Sequence, residues 1–178
     1  MIIRNLLIIC AAIAFLAGCG ESKAPLQSQK SSFELRSLSG ENFAVRIEPS
    51  EERYNYLMID DFGGKPVLFS FFSTTCPECK KKFPHLIDMQ NRYKDKIALV
   101  GVLLENKSVE EISDFVAFHQ LNYPVVTGAG AFRLADAVGG VRLLPTMHIY
   151  DGSGRYVAHF VGAVPQEMLE TRLNAAMQ

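Results

Sequence analysis

Patterns of strand and helix alternate along most of this chain, which makes it an α/β domain built on a mixed central sheet flanked by helices. Three observations carry that expectation. From Val67 onward, apolar runs of strand length take turns with amphipathic segments of helical period. Near the start, two alternating segments flank Ser39-Gly40-Glu41-Asn42, the pattern of a hairpin. Near the end, two more flank Asp151-Gly152-Ser153-Gly154, and an antiparallel pair closing a parallel sheet makes it mixed.

The elements follow in order. Phe33 to Arg36 and Phe43 to Ile47 form the first hairpin. Residues 51–58 read as a short helix, and Gly63-Gly64-Lys65-Pro66 as a turn. Val67 to Phe72 is nearly all apolar, as a strand buried on both faces requires. A helix runs from Pro77 to Tyr93, with Phe83, Leu86, Ile87 and Tyr93 on one face. Ile97 to Leu104 is a second buried strand. Ser108-Val109-Glu110-Glu111 is a capping box that opens a helix reaching His119. Tyr123 to Val126 is a short strand, and Ala131 to Val138 a helix stopped by Gly139-Gly140. Thr146 to Tyr150 and Arg155 to Val161 are the closing strands. Pro165 suits a first helical position, opening a last helix with Met168, Leu169, Leu173 and Ala176 inward.

The chain of 178 residues carries 18 Lys and Arg against 19 Asp and Glu, a net charge of −1. That balance lacks the basic stripe of a nucleic-acid binder. An apolar fraction of 48% with 21% charge excludes a disordered chain. Four cysteines are too few for a disulfide scaffold, and they divide into two in the N-terminal segment and one Cys-x-x-Cys.

The N-terminus has the form of a targeting segment. Arg4 precedes an unbroken apolar run from Leu6 to Ala17, short for a membrane span and right for the core of a signal peptide. Leu16-Ala17-Gly18-Cys19 resembles the bacterial lipobox. That resemblance implies cleavage after residue 18 and lipid attachment at Cys19, and it places the domain on the extracytoplasmic, periplasmic side of a membrane. Cys10 would then be apolar filler in the discarded peptide. Residues 1–18 are thus expected as signal peptide, 19–31 as a polar tether to the lipid, and 32–178 as the domain.

The chemistry centres on Cys76-Pro77-Glu78-Cys79, at a strand-to-helix junction. Cys76 precedes the first helical turn, where unpaired N–H groups and the helix dipole stabilise a thiolate. Cys79, one turn deeper, is less exposed. Cys76 is therefore the expected nucleophile toward a substrate disulfide, and Cys79 the resolver of the mixed disulfide. Pro77 fits the first turn, where its missing N–H costs nothing. Two other uses of a Cys-x-x-Cys stand beside this one: half of a zinc site, for which no second Cys pair or His-x-x-x-His exists, and a structural disulfide, whose four-residue loop constrains the unfolded chain little.

These residues sit among others that resemble, in fixed order, the thioredoxin superfamily, in particular its membrane-anchored TlpA/ResA/CcmG type. Lys65-Pro66-Val67-Leu68-Phe69-Ser70-Phe71-Phe72-Ser73 is similar to the family's central strand, Pro84 to the proline that kinks the active-site helix, Leu144-Pro145-Thr146 to the cis-proline loop, and Asp151-x-x-Gly154 to the turn that follows it. The 66 residues from Cys79 to Pro145 suit the helix-plus-strand insertion of TlpA-like proteins. The resemblance implies a thioredoxin fold with an N-terminal β-hairpin and that central insertion. It also implies a cis bond before Pro145, with Leu144 and Thr146 beside Cys76 to pair with an extended substrate.

The activity implied is thiol–disulfide oxidoreduction by the Cys76–Cys79 dithiol, with no cofactor beyond that redox-active disulfide and no metal. Oxidised protein substrates would include apocytochrome c, and a membrane electron donor of the DsbD/CcdA type would restore the dithiol. The same chemistry run as an oxidant or isomerase is the first alternative. A Sco-like copper chaperone is the second; His148 and His159 are the histidines weighed for it. The pattern also departs from the family. Thr75 stands where Trp precedes the first cysteine, Leu143 where Gly stands two before the cis-proline, and Ser70 and Lys82 where relatives carry an Asp and a Glu that relay protons. Glu78, His85 and water remain to deprotonate Cys79. Lys80, Lys81 and Lys82 read as a solvated basic face.

Overall fold

The computed structural model describes residues 30–178. The expected signal peptide, with Cys10 and Cys19, and all but the end of the tether lie outside the described residues. The order of elements is β1 (Ser31–Ser37), β2 (Asn42–Glu48), β3 (Tyr56–Ile59), a 3-10 turn (Asp60–Phe62), β4 (Val67–Phe72), α1 (Pro77–Tyr93), β5 (Ala98–Leu103), α2 (Val109–Phe118), β6 (Val125–Thr127), α3 (Gly128–Ala137), β7 (Thr146–Tyr150), β8 (Tyr156–Val161) and α4 (Gln166–Ala176). The eight strands form one sheet in the order β3-β2-β1-β6-β5-β4-β7-β8. β4 pairs in parallel with β5, and β5 with β6; every other pairing is antiparallel. The segment between β5 and β7 supplies β6, which joins the N-terminal hairpin to the parallel strands.

All six residues of β4 are buried, because both faces of the sheet are covered. Leu68 and Phe72 point to a core shared with Phe83, Leu86 and Met89 of α1, Ile112 of α2, and Leu169 and Leu173 of α4. Val67, Phe69 and Phe71 point the other way, to Ala131 and Leu134 of α3 and Leu35 and Val45 of the hairpin. The alternation of side chains along a strand thus divides the domain into an α1 face and an α3 face.

Three local expectations are corrected. Residues 51–58 contain no helix: Ser50 Oγ accepts from the Glu52 N–H at 3.1 Å, a local bond that competes with a helical turn, and 56–59 form β3 against β2. Its alternation, with Leu57 and Ile59 buried, became decisive only because β2 offers it an edge. α3 begins at Gly128, directly after β6 and three residues earlier than its apolar pattern. Gly130 makes this possible, since a Cβ there would lie 2.5 Å from the Glu34 carbonyl oxygen of β1. In α4, Pro165 is the N-cap residue rather than the first helical one, and Met168 faces solvent at 51% exposure.

Candidate active site

The C-terminal end of β4 runs through Ser73, Thr74 and Thr75 into Cys76, the N-cap of α1. Pro77 occupies the first helical position, which fixes where the helix begins. The Cys76 backbone is extended, with φ −82° and ψ 108°, and its Sγ accepts from the Cys79 N–H at 3.1 Å. A sulfur in that position meets an otherwise unpaired amide of the first turn and the positive end of the helix, the setting that favours a thiolate. Cys76 and Cys79 are joined as a disulfide, with Cα atoms 5.3 Å apart. Cys79 is 1% exposed, whereas Cys76 is half-buried, so one sulfur meets the surface and the other does not.

The bond between Leu144 and Pro145 is cis. Pairing of Phe71 with Thr146 sets the start of β7 beside the end of β4, and hence this loop beside the one leading to Cys76. Leu144 and Cys76 pack against the same core cluster, which includes Cys79, Phe72 and Met147. The loop is tied at both ends. Thr146 Oγ1 donates to the Leu143 carbonyl at 2.7 Å, and the Gly162 N–H donates to the Pro145 carbonyl at 2.7 Å. Leu143 is 66% exposed, so a side chain at that position meets no obstruction.

The environment residues separate. Ser70 is buried at the centre of β4, on the α1 face. Lys82 corrects the expectation of a solvated basic run. It lies on the buried stripe of α1 with Cys79 and Phe83, and its Nζ donates to the Val164 carbonyl ahead of α4. Lys80 and Lys81 are exposed, and Lys81 pairs with Glu78 at 2.6 Å. Glu78 and His85 face solvent, away from the side of the helix that holds Cys79.

Sequence reasoning missed Glu105. It follows β5, and its carboxylate accepts from the Thr74 N–H at 2.9 Å, the Thr74 hydroxyl at 2.6 Å and the Thr75 hydroxyl at 3.3 Å. Burial alone would push its carboxyl up; those three bonds and the nearby charge of Lys107 outweigh it and hold the group below its ordinary value. Where the expected Trp is absent, Thr75 is thus tied by hydrogen bonds. The signal lay in topology: β4 and β5 are parallel with Phe72 beside Leu103, so the residues after each emerge at one edge.

His148 and His159 are cross-strand partners with stacked rings, 5.3 Å between centroids. His148 packs edge-on to Phe71 of the α3 face, whereas Cys79 belongs to the α1 face, so the structure does not bring these histidines to the cysteines. Among the described residues no group of three or more His, Cys, Asp or Glu could hold a metal ion. No helix among them is long and apolar enough to cross a membrane.

Residues 63–177 match the family model of a thioredoxin-like domain. The chain is 26% identical over 172 residues to the thiol-disulfide oxidoreductase ResA of Bacillus thuringiensis subsp. konkukian, covering 94% of this chain and 90% of the relative. To ResA of Halalkalibacterium halodurans it is 27% identical over 149 residues, covering 84% of this chain and 76% of the relative. Among solved structures, that of a putative thiol:disulfide interchange protein DsbE from Chlorobium tepidum superposes with a TM-score of 0.63 at 24% identity, over 83% of this chain and 94% of the other.

Proposed function

The chain belongs to the thioredoxin-like domain family and is a thiol–disulfide oxidoreductase with a Cys76–Cys79 pair, and on that premise we propose that it is a lipid-anchored, extracytoplasmic reductant of protein disulfides. The observation that carries the reading is the graded exposure of the pair at the start of α1.

The cycle follows from that gradient. In the reduced protein, the Cys76 thiolate attacks one sulfur of a substrate disulfide. That S–S bond breaks, a Cys76–substrate disulfide forms, and the displaced substrate thiolate takes a proton from water. The Cys79 thiol gives up its proton and its sulfur attacks Cys76 Sγ. The second substrate thiol leaves, two electrons have passed to the substrate, and the protein holds the Cys76–Cys79 disulfide. Leu144 and Thr146, on either side of cis-Pro145, offer the backbone edge for an extended substrate. Oxidised Cys-x-x-Cys-His pairs of apocytochromes c are the substrate class that accompanies the TlpA/ResA/CcmG resemblance, and a DsbD/CcdA-type membrane donor would restore the dithiol. Lipid at Cys19, with residues up to 31 as tether, would hold the domain at the membrane.

Two carboxylates make the couple more strongly reducing. Glu78 lies in the motif, and Glu105 is kept ionised against Thr74, two residues before Cys76. Negative charge disfavours the thiolate and with it the reduced form. Equilibrating the full chain against glutathione and dithiothreitol buffers tests this. The expected potential is near that of thioredoxin, about −270 mV, rather than that of DsbA, about −120 mV. A value above roughly −180 mV would assign the protein to the oxidants or isomerases.

A further inference from the structure

The α3 face carries a cleft that the dithiol chemistry does not use. The segment before β3 folds over the end of α3, so that Tyr54 stacks on Tyr156 of β8 at 4.0 Å. The Tyr156 hydroxyl and His159 Nδ1 are 2.7 Å apart. What remains open is a space of about 370 Å³, bordered by Arg53, Tyr54, Arg142, Leu143, His148 and His159. Thr146 also lines it, so the cleft is continuous with the cis-proline loop.

Three features give its chemistry. No Asp or Glu lines it. Arg53 and Arg142 are exposed, and neither forms an ion pair among the described residues, although eight such pairs form elsewhere. At its floor His148 is 3% exposed, and its Nδ1 has no hydrogen-bond partner. Two guanidinium groups without a carboxylate partner, one of them lying against the Tyr54 ring at 5.5 Å, beside a buried imidazole with an unpaired nitrogen, suit a carboxylate, which a guanidinium binds through two parallel hydrogen bonds. A neutral or cationic group would leave both arginines unpaired.

We propose that this cleft is a specificity subsite that receives an acidic side chain of the substrate, close in sequence to the cysteine under attack. The inference rests on the proposed pairing of substrate with the cis-proline loop. An extended strand advances about 3.3 Å per residue with side chains alternating in direction. A substrate lying along Leu144 and Thr146 and continuing past Leu143 therefore presents alternate side chains toward Arg142. Val161, opposite Thr146 and 50% exposed, adds an apolar shoulder on the same side.

The test uses the full chain, reduced, with two disulfide peptides that differ only in Glu or Gln at the residues flanking the cysteine. Each exposed charge contact is of the size that changes kcat/KM by about 1.5-fold to fivefold. The expected result is that preference for the Glu peptide at low salt, shrinking as ionic strength rises and abolished in Arg53→Ala/Arg142→Ala. Equal rates for the two peptides in the unsubstituted protein would overturn the proposal. So would a preference that survives in the double variant, which would place the effect on Lys80 and Lys81. Inorganic phosphate is added as a competitor. Suppression of the preference beyond that by sodium chloride of equal ionic strength would make the cleft a site for free anions and overturn its assignment to the substrate. Reduction of neutral 2-hydroxyethyl disulfide by the unsubstituted protein separates the two readings. If that reaction is absent, the reductase reading fails; if it proceeds while the peptides are indistinguishable, only the subsite fails.

Discussion

Glu105→Gln separates charge from hydrogen bonding at the approach to the nucleophile. The amide oxygen still accepts from the Thr74 N–H and hydroxyl, so the loop keeps its anchor, while one negative charge disappears. Thr74 is two residues from Cys76, which at about 3.8 Å per residue puts the carboxylate roughly 8 Å from the attacking sulfur. Over that distance Coulomb's law gives about 0.5 kcal/mol in bulk water and about 2 kcal/mol at an effective dielectric constant of 20. A half-buried carboxylate falls between, near 1 kcal/mol, or about 0.7 pKa unit on Cys76. Removing the charge stabilises the thiolate, so the Cys76 pKa falls by about that amount and the potential of the pair rises by about 20 mV above the thiol pKa. Ultraviolet thiolate absorbance against pH, in a Cys79→Ser background, reads the first quantity; glutathione equilibration of the intact pair reads the second. A Cys76 pKa that stays put or rises would refute the electrostatic role. Glu105→Ala also removes the acceptor and costs about 1.5–3 kcal/mol of stability. The folded-state carboxyl titrates below its ordinary 4.5, so the part of that cost owed to the charge is fully present above 4.5 and fades as pH falls below it, through the lower folded-state value.

Other outcomes follow from the same geometry. Cys79→Ser accumulates mixed disulfides through Cys76, visible by non-reducing electrophoresis, whereas Cys76→Ser traps nothing comparable; the reverse pattern would exchange nucleophile and resolver. Burial, and then the neighbouring His159, pushes His148 from 6.5 down to about 4. The unfolded chain therefore binds the proton first, and stability declines as pH falls from 6.5 toward 4, by up to about 3 kcal/mol. Urea midpoints should show His148→Phe flattening that slope, and an unchanged slope would contradict the assignment. Gly130→Ala drives a methyl group into the Glu34 carbonyl and lowers stability by about 1–3 kcal/mol in the same measurement.

How much of this was legible in the sequence depended on how local each signal was. The bounds of α1, Pro77–Tyr93, and the cap of α2 at Ser108 came from residues that set backbone geometry within one turn. The Cys76–Cys79 bridge is local in the same sense. β3 is not legible locally, because four residues between polar neighbours become a strand only when β2 lies alongside. Adjacency groups Lys82 with Lys80 and Lys81, yet three residues on from Cys79 the helix returns to the same stripe. Periodicity gave the better prediction there than the charge run did. Glu105 and the cleft beside Arg142 depend on which strand ends share an edge and which loops meet over α3. No window of sequence holds that information.

Lys82 changes how the resolving step is set up. A carboxylate on that stripe of α1 could accept the proton that Cys79 must lose. An ammonium cannot accept it, but held against the Val164 carbonyl one turn from Cys79 it lowers the cost of forming a thiolate in buried surroundings. With Ser70 in the strand below, Glu78 paired to Lys81 and His85 in solvent, no group among these holds a base against the Cys79 sulfur. Deprotonation then passes to water, and the protein acts through its field. The two cysteines are thus tuned by opposite charges: Glu105 raises the cost of the exposed Cys76 thiolate, and Lys82 lowers that of the buried Cys79 thiolate. Attack on a substrate becomes more dependent on the helix terminus, while the internal attack that releases product gains a fixed cation. A thiol–disulfide oxidoreductase that must let go of its substrate without a resident base needs that asymmetry.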